Sequence, residues 1–395
     1  MSGDPIPFLW LCGPSGVGKT TVGWELYARL GAAGIRAAYV DADQLGLCYP
    51  ALADDKDNHR VKARSLGLVW PVFRAAGARC LIMSGCVDTP GAVRLYGDQV
   101  PDTTITLCRL RVDAGELRER FVWRGWSVHL ADRAVRDAEA LDRADFADVC
   151  VETSGRSVAE VVGLVRKQSG GWPGESPESG DALGPEISEA GSNAGTDSGD
   201  AAPFLWLYGA RGAGKSVVGY EIFTQVVRSG VKAAYVDLAQ IGHCWPAPDD
   251  DPGNHRIKVR NLARMWPAFR AAGARCLIIV GAVDEPETVD AYRDTVSGTD
   301  LTLCRLTASP DELVRRMLWR GRGEGPALPG ETLSGWPDQE VRGIAEDAAR
   351  TDMVLDRAGI GGFAVHTDSR SVEQVAELIR ALAGGWPGLA AQGGE

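Results

Sequence analysis

The chain has 395 residues, which is enough for two or three domains that each bury a core of their own. Hydrophobic residues make up 45% and charged residues 24%, a balance typical of a globular protein rather than a disordered or fibrous one. The formal net charge of −11, without a lysine- or arginine-rich block, argues against nucleic acid and membrane surfaces as partners, and we expect a cytoplasmic protein.

Short apolar runs alternate with segments of helical length along the first part of the chain. The runs are FLWLCG, AAYVDA, RCLIMSG, TITLCRL and DVCVET. This alternation predicts an α/β fold in which a mainly parallel sheet carries helices on both faces. Near the end of this part, Ser157 followed by Glu160 has the pattern of a capping box and predicts the start of the last helix, and Ser371 with Gln374 repeats the pattern later in the chain.

The first apolar run leads into GPSGVGKT, which has the G-x-x-x-x-G-K-[ST] spacing of a P-loop, or Walker A motif. A helical pattern follows directly, as the mechanism requires. Glycines allow backbone amides to turn toward phosphates, and the positive end of the helix assists them. Lys19 would reach the β- and γ-phosphates, and Thr20 would bind magnesium. The predicted ATP-binding residues are Gly13, Pro14, Ser15, Gly16, Val17, Gly18, Lys19 and Thr20.

An acidic pair follows the second apolar run, in YVDADQLG. Because side chains alternate along a strand, we expect Asp41 and Asp43 to point the same way. Asp43 is then the candidate that accepts a proton from a substrate hydroxyl or helps to hold magnesium, and Asp41 orients it. The alternative is a carboxylate at a strand end that caps the next turn.

A basic cluster follows in DNHRVKARSL, where the side chains of His59, Arg60, Lys62 and Arg64 fall within about one helical turn of each other. Such a cluster could bind an anionic acceptor. A solvated helix face explains it equally well, so both alternatives stay open.

The third apolar run ends in Ser84-Gly85, where motor and switch ATPases usually place an acidic residue for magnesium, and no NKxD guanine motif is present. These features favour another class. With its D-x-D pair, the sequence resembles the small P-loop kinases, especially adenylylsulfate kinase and the gluconate and shikimate kinases. In adenylylsulfate kinase a similar D-x-D lies in the phosphoryl acceptor site.

The segment Leu107–Gly125 resembles the strand and helix that lead into the arginine-bearing lid of these kinases. There Arg120 and Arg124, four residues apart on one helical face, would clamp the transferring phosphate. The resemblance implies a nucleoside-monophosphate-kinase-like fold, ATP and Mg²⁺ as cofactors, and a small molecule as the acceptor.

The second part of the chain repeats the first. Phe204–Gly321 aligns with Phe8–Gly125 without a gap at roughly half identity, and Leu355–Val372 resumes the register of Leu141–Val158. A segment rich in Gly, Ser, Pro, Glu and Asp separates the copies and is expected to be a flexible acidic linker. The predicted domains are therefore a P-loop domain over 1–168, the linker over 169–202, and a second P-loop domain over 203–390.

The second copy keeps most of the candidate residues. Its acidic position Asp237 and its arginines Arg316 and Arg320 match the first copy, but Ala239 replaces Asp43. The predicted ATP-binding residues are Gly209, Ala210, Arg211, Gly212, Ala213, Gly214, Lys215 and Ser216, with Lys215 as the catalytic lysine and Ser216 as the magnesium ligand. The matching acceptor cluster is His255, Arg256, Lys258 and Arg260.

The order of these motifs favours an ATP- and Mg²⁺-dependent phosphotransferase that acts on an alcohol group of a small metabolite, with the first copy as the active one. The alternative is a nucleotide-binding regulatory or scaffold protein, either an ATPase or a pseudokinase, which the Ala239 replacement favours. A polynucleotide kinase is disfavoured by the negative charge. The two copies could also pair as an intramolecular pseudo-dimer.

Overall fold

The computed structural model describes residues 4–123, 128–144, 146–174, 201–283, 286–295, 299–323, 333 and 335–389. We call the elements before the predicted linker the first repeat and those after it the second repeat. The strands of the first repeat are β1 (Ile6–Cys12), β2 (Ala37–Asp41), β3 (Cys48–Tyr49), β4 (Cys80–Ser84), β5 (Thr103–Arg111) and β6 (Val149–Glu152). Its helices are α1 (Lys19–Ala32), α2 (His59–Ala75), α3 (Pro90–Gly97), α4 (Ala114–Trp123), α5 (Val128–Ala144) and α6 (Val158–Gln168).

The second repeat follows the same order of elements. Its strands are β7 (Ala202–Tyr208), β8 (Ala233–Asp237), β9 (Cys244–Trp245), β10 (Cys276–Val280), β11 (Thr299–Thr307) and β12 (Phe363–His366). Its helices are α7 (Lys215–Arg228), α8 (His255–Ala271), α9 (Pro286–Thr295), α10 (Pro310–Gly321), α11 (Asp338–Ala358) and α12 (Val372–Leu382).

The strands form two six-stranded sheets, in the orders β6-β5-β1-β4-β2-β9 and β12-β11-β7-β10-β8-β3. Five neighbouring strands of each sheet pair in parallel, and the sixth is antiparallel. Alternate residues of β1 enter different cores: Phe8 and Trp10 join one hydrophobic cluster, and Leu9 and Leu11 join another. The predicted α/β fold with mainly parallel sheets is therefore confirmed.

The antiparallel strand of each sheet comes from the other repeat, which the sequence did not predict. In the first sheet Ala37 and Ala38 pair with Trp245 and Cys244. In the second sheet Ala233 and Ala234 pair with Tyr49 and Cys48. Each exchanged strand covers an edge that would otherwise present unpaired backbone groups. We call residues 47–49 and 243–245 the exchanged segments.

Side-chain packing joins the repeats as well. Helices α2 and α8 pack against each other, and one hydrophobic cluster contains buried side chains from both, including Phe73 and Phe269. His243 of the second exchanged segment is enclosed by aromatic rings of the first repeat, with the ring centroids of Trp24, Tyr27 and Tyr39 at 4.8, 6.3 and 6.0 Å. The two copies are thus in extensive contact.

The last helix of each repeat begins with the capping box that the sequence indicates. Ser157 and Glu160 exchange side chain to backbone hydrogen bonds, and Ser371 and Gln374 do the same. Residues 175–200 of the predicted linker lie outside the described residues, and the domain boundaries remain a prediction. Among the described helices, none is both long enough and apolar enough to cross a membrane.

Candidate functional site

Both P-loops connect a buried strand to the helix that starts at their lysine. Gly13 has a φ of +135°, and a Cβ there would lie 2.6 Å from the carbonyl oxygen of Leu110, so only glycine fits. Lys19 donates hydrogen bonds of 2.9 Å to the carbonyl oxygens of Gly13 and Pro14. Lys215 bonds Gly209 and Ala210 at the same distances. Each lysine ammonium is therefore held inside its loop, where a phosphate would replace the carbonyl oxygens.

A polar network in the first repeat joins the P-loop to the end of β2. The Asp41 carboxylate oxygen Oδ2 accepts hydrogen bonds from Thr20 Oγ1 at 3.3 Å and from Ser84 Oγ at 3.2 Å. The Tyr39 hydroxyl lies 2.7 Å from Ser84 Oγ. Thr20, Asp41 and Ser84 thus place oxygen atoms together beside Lys19, at the carboxyl ends of β2 and β4.

Asp43 lies beyond the strand, in a short 3₁₀ turn over Asp43–Leu45. The prediction that strand alternation orients both carboxylates was therefore wrong. The reason is that Asp41 Oδ1 accepts a 2.9 Å hydrogen bond from the backbone N–H of Asp43 and closes the turn, so that Asp41 acts as a cap. Asp43 instead turns toward α2, where Lys62 Nζ lies 2.7 Å from its Oδ1.

The two carboxylates have opposite electrostatic environments. Burial, reinforced by the charge of Asp43, raises the pKa of Asp41 to about 6. Partial desolvation also acts on Asp43, but the ion pair with Lys62 outweighs it and lowers the pKa of that carboxyl. Asp43 is 60% exposed, whereas the Lys62 side chain is 9% exposed. The first repeat therefore offers an ionised, accessible carboxylate at pH 7 that is fixed by a buried ammonium group.

The second repeat reproduces the hydrogen bond between the P-loop hydroxyl and the aspartate at the strand end, but not the other polar groups of this network. Ser216 Oγ donates a 2.9 Å hydrogen bond to Asp237 Oδ2, as Thr20 does to Asp41. Burial raises the pKa of Asp237. Ala239 and Val280 stand where the first repeat has Asp43 and Ser84, so the second repeat has neither the carboxylate nor the hydroxyl at those positions.

The predicted basic cluster does not gather in one place. Arg60 turns outward and pairs with Asp54 at 2.5 Å, and Arg64 is exposed on α2. His59 Nδ1 lies 3.2 Å from the Tyr96 hydroxyl. Only Lys62 reaches an acidic residue of the site. Consecutive helical residues point in different directions, and the prediction of a single cluster overlooked this.

The corresponding residues of the second repeat are similarly dispersed. Arg256 is exposed and pairs with Asp250 at 2.7 Å, and Arg260 is exposed. His255 stacks edge-on against Tyr292, with ring centroids 6.4 Å apart. The stem of Lys258 packs over Gly242, where a Cβ would lie 2.5 Å from its Cγ.

The helix arginines brace the P-loops. Arg120 donates a 3.0 Å hydrogen bond to the carbonyl oxygen of Val17 and pairs with Glu116 at 2.7 Å. Arg316 bonds the carbonyl oxygen of Gly212 at 3.2 Å and pairs with Glu312 at 2.7 Å. Each arginine thus ties its helix to a backbone carbonyl group of its P-loop. The prediction for Arg124 lies outside the described residues.

A cavity of about 570 Å³ opens beside the second P-loop. Gly214 of the loop, Trp319 and Arg320 of α10, and Val372 at the start of α12 are among its lining residues. The cavity thus combines the Trp319 ring and apolar side chains with guanidinium groups beside the loop.

Sequence reasoning missed three side chains that shape the first site. Ser84 and Tyr39 extend the network of Asp41. Asn58, buried and with a φ of 54°, donates hydrogen bonds of 3.1 and 2.9 Å to the carbonyl oxygens of Gly46 and Cys48, which fixes the loop between Asp43 and Lys62. Ser84 could have been found from the sequence, because it is a polar residue at the end of the apolar run RCLIMS. Nothing in the sequence pattern indicated the bonds of Asn58.

Magnesium fits the oxygen atoms at each P-loop. Mg²⁺ prefers oxygen ligands and is commonly bound by one or two protein groups together with substrate phosphates. Thr20 with Asp41, and Ser216 with Asp237, supply such oxygen atoms. Among the described residues, no group of three or more His, Cys, Asp or Glu side chains could hold a metal without a further ligand.

No protein-family model matches the chain, and no curated protein matches it either. The chain is, however, similar to solved structures of the kinases whose motifs it resembles. A gluconokinase from Sinorhizobium meliloti has 20% sequence identity, covers 42% of this chain and 95% of its own, and has a TM-score of 0.31. A shikimate kinase from Acinetobacter baumannii, solved with shikimate, has 12% sequence identity, covers 48% of this chain and 97% of its own, and has a TM-score of 0.29.

An APS kinase from Mycobacterium tuberculosis, solved with AMPPNP and APS, is similar to the same extent. It has 17% identity, covers 47% of this chain and 99% of its own, and has a TM-score of 0.30. Each of the three matches thus spans nearly all of the kinase and less than half of this chain.

Proposed function

We propose that this chain is an ATP- and Mg²⁺-dependent phosphotransferase that acts on a hydroxyl group of a small metabolite, and that the first repeat carries out the transfer. The observation that supports this most is the convergence of Lys19, Asp41 and Asp43 at one end of the first sheet. Lys62, 2.7 Å from Asp43, completes the group. The phosphate cradle and an accessible carboxylate lie side by side there, as transfer to a hydroxyl requires.

In this proposal the residues of the first repeat have separate roles. Lys19 exchanges its bonds to the carbonyl oxygens of Gly13 and Pro14 for bonds to the β- and γ-phosphates. Thr20 and Asp41 would hold magnesium, which would neutralise charge on the phosphates. Asp43, which is ionised at neutral pH, accepts a hydrogen bond from the acceptor hydroxyl and orients its oxygen toward the γ-phosphorus.

The transfer itself forms a bond between the acceptor oxygen and the γ-phosphorus while the bond from that phosphorus to the oxygen of ADP breaks. The hydroxyl proton passes to Asp43. Lys62 holds the carboxylate in place through the 2.7 Å ion pair and balances its charge before the proton arrives. Arg120, bonded to the carbonyl oxygen of Val17, keeps the P-loop in its observed position.

A second candidate function is a nucleotide-binding regulatory or scaffold protein that does not transfer phosphate. The second repeat supports it, because Ala239 replaces the carboxylate of Asp43 while Lys215, Ser216 and Asp237 remain. We assign this role to the second repeat within the phosphotransferase.

The proposal is tested by incubating the full chain with ATP, Mg²⁺ and a pooled metabolite extract and comparing it with Lys19→Ala and Asp43→Asn. We expect ADP and a new phosphorylated compound from the wild-type chain. In Asp43→Asn their formation should fall by about 10²-fold, since general-base groups contribute at least that much. Ala239→Asn places the same amide in the second repeat and serves as the matched control.

Nucleotide binding without either product, even with the extract present, would reject the transfer proposal in favour of the regulatory function. Equal product formation by wild type and Asp43→Asn would reject the role of Asp43. Equal loss in Asp43→Asn and Ala239→Asn would reject the assignment of transfer to the first repeat.

A further inference from the structure

Each exchanged segment follows shortly after the strand-end aspartate of one candidate site and pairs with the other repeat. In the first repeat the chain runs from the 3₁₀ turn Asp43–Leu45 directly into residues 47–49, which pair with β8. Leu47 and Tyr49 pack against the hydrophobic cluster of the second repeat. The ring of Tyr49 lies 6.3 Å from that of Phe223 on α7, the helix that starts at Lys215. The carboxylate proposed for transfer is therefore four residues from a contact with the other P-loop domain.

Tyr235 makes a hydrogen-bonded connection between the second P-loop and this segment. Its backbone N–H donates a 2.8 Å hydrogen bond to the carbonyl oxygen of Leu47. Its hydroxyl donates a 3.3 Å hydrogen bond to the carbonyl oxygen of Ser216, the predicted magnesium ligand. We call residues 43–49 of the first repeat the acceptor loop. One residue, Tyr235, thus contacts the P-loop of the second repeat at one end and the acceptor loop at the other.

Tyr39 makes the reverse connection. Its backbone N–H donates a 3.0 Å hydrogen bond to the carbonyl oxygen of His243 in the other exchanged segment. Its hydroxyl lies 2.7 Å from Ser84 Oγ, which in turn donates to Asp41. Tyr39 and Tyr235, at equivalent positions, therefore connect the two repeats in both directions. In the first repeat Ser84 extends the connection to the Asp41 carboxylate, whereas the second repeat has Val280 at that position.

Nucleotide binding must change the second site at the start of this path. Lys215 is bonded to the carbonyl oxygens of Gly209 and Ala210, and phosphates must take over this ammonium group. Ser216, the next residue, carries the carbonyl group to which the Tyr235 hydroxyl is bonded. A rearrangement at Lys215 and Ser216 is thus one hydrogen bond away from Tyr235 and two from Leu47.

We infer that the second repeat is an effector site, at which a magnesium-bound nucleoside triphosphate sets the position of the acceptor loop of the first repeat through Tyr235 and residues 47–49. The inference rests on the proposed function, because it assigns a regulatory role to the copy without Asp43. Coupling between sites is reciprocal for binding, so nucleotide at the first site should also change affinity at the second.

The test uses the full chain carrying Lys19→Ala, so that nucleotide binds only at the second repeat. Amide hydrogen exchange is measured with and without AMPPNP and Mg²⁺. We expect slower exchange over 209–216 and, in addition, a changed exchange rate over 43–49, where the N–H groups of Gly46 and Cys48 are hydrogen-bonded within the acceptor loop. A chain carrying Lys215→Ala in addition should show neither change.

Tyr235→Phe should keep the effect over 209–216 and abolish the effect over 43–49, because it removes the bond to Ser216 but keeps the ring and the backbone. Tyr208→Phe is the matched control: it also removes one bond from a hydroxyl to a carbonyl oxygen in the second repeat, that of Gly361 at 3.2 Å, and should leave both effects intact.

Slower exchange over 209–216 with unchanged exchange over 43–49 would overturn the inference. Unchanged exchange over both 209–216 and 43–49 would also overturn the inference, since the second site would then bind no nucleotide. Coupling that persists in Tyr235→Phe would overturn the path. Failure of the proposed function is separately visible, as the absence of any phosphorylated product from the wild-type chain with the metabolite extract.

Discussion

The two candidate sites share their phosphate side and differ on their acceptor side. In both repeats the P-loop lysine is bonded to two loop carbonyl oxygens at 2.9 Å. The hydroxyl of the next residue is bonded to the aspartate that ends β2 or β8. Asp43 and Ser84 of the first repeat become Ala239 and Val280 in the second. Under the proposed function, nucleotide binding and transfer would therefore use separable groups of the same fold.

The largest difference should appear when each P-loop lysine is removed in turn. Lys19→Ala should lower the rate of product formation by about 10²- to 10³-fold, as loss of a group that stabilises transition-state charge does. Lys215→Ala should change it by less than about tenfold, because it acts only through coupling between the repeats. The measurement is the initial rate of formation of the phosphorylated product. A greater loss in Lys215→Ala than in Lys19→Ala would reverse the assignment of roles.

A smaller difference should follow from adding one methyl group beside each lysine of the acceptor side. A Cβ at Gly46 would lie 2.4 Å from Lys62 Cγ, and one at Gly242 would lie 2.5 Å from Lys258 Cγ. Gly46→Ala should displace Lys62 from Asp43 and lower the transfer rate by about tenfold, since misplacement of a reacting group is costly.

Gly242→Ala is the control for that experiment, because it makes the same steric change where no carboxylate equivalent to Asp43 exists. Its transfer rate should stay closer to that of wild type than the rate of Gly46→Ala does, because the second repeat acts on transfer only through the coupling between the repeats. Thermal unfolding of both variants checks that the fold is retained. Equal rates in the two variants would show that the position of Lys62 does not matter for transfer.

A further difference concerns stability at acid pH rather than transfer, and it depends on the exchanged segments. Burial, together with the charge of Lys258, lowers the pKa of His243 to about 3 from its ordinary value of 6.5. Between these pH values the unfolded chain binds a proton that the folded chain does not, so His243 lowers the free energy of unfolding as the pH falls through this window.

The first repeat has Leu47 at the equivalent position, which suggests the variant His243→Leu. Relative to wild type, this variant should gain about 2 to 3 kcal/mol in the free energy of unfolding between pH 7 and pH 4. Urea unfolding at a series of pH values measures it. A constant difference between the two proteins across this range would contradict a buried, neutral histidine.

The sequence predicted the parts of the molecule that follow from local patterns. Strand–loop–helix context located both P-loops, and the alternation of apolar runs predicted the parallel sheets. Capping boxes at Ser157 and Ser371 marked the last helices. These features depend on neighbouring residues, which a single sequence displays.

What the sequence did not predict depends on contacts between distant segments. The exchanged strands contain two residues each, too few for a periodic pattern, and their partners lie in the other repeat. The direction of the Asp43 side chain depends on whether the chain stays extended after Asp41 or turns. It turns, because the backbone N–H of Asp43 donates a hydrogen bond to the Asp41 carboxylate. Lys62 was predicted as part of a cluster, but only its contact with Asp43 distinguishes it from Arg60 and Arg64.

The most direct test of the account gives the first site the residues of the second. A chain carrying Asp43→Ala and Ser84→Val is compared with wild type for AMPPNP bound per chain at equilibrium and for formation of phosphorylated product. We predict that nucleotide binding to both repeats is retained and that product formation is lost. Product formation at the wild-type rate would contradict the account, because transfer would then not depend on the groups that distinguish the first repeat from the second.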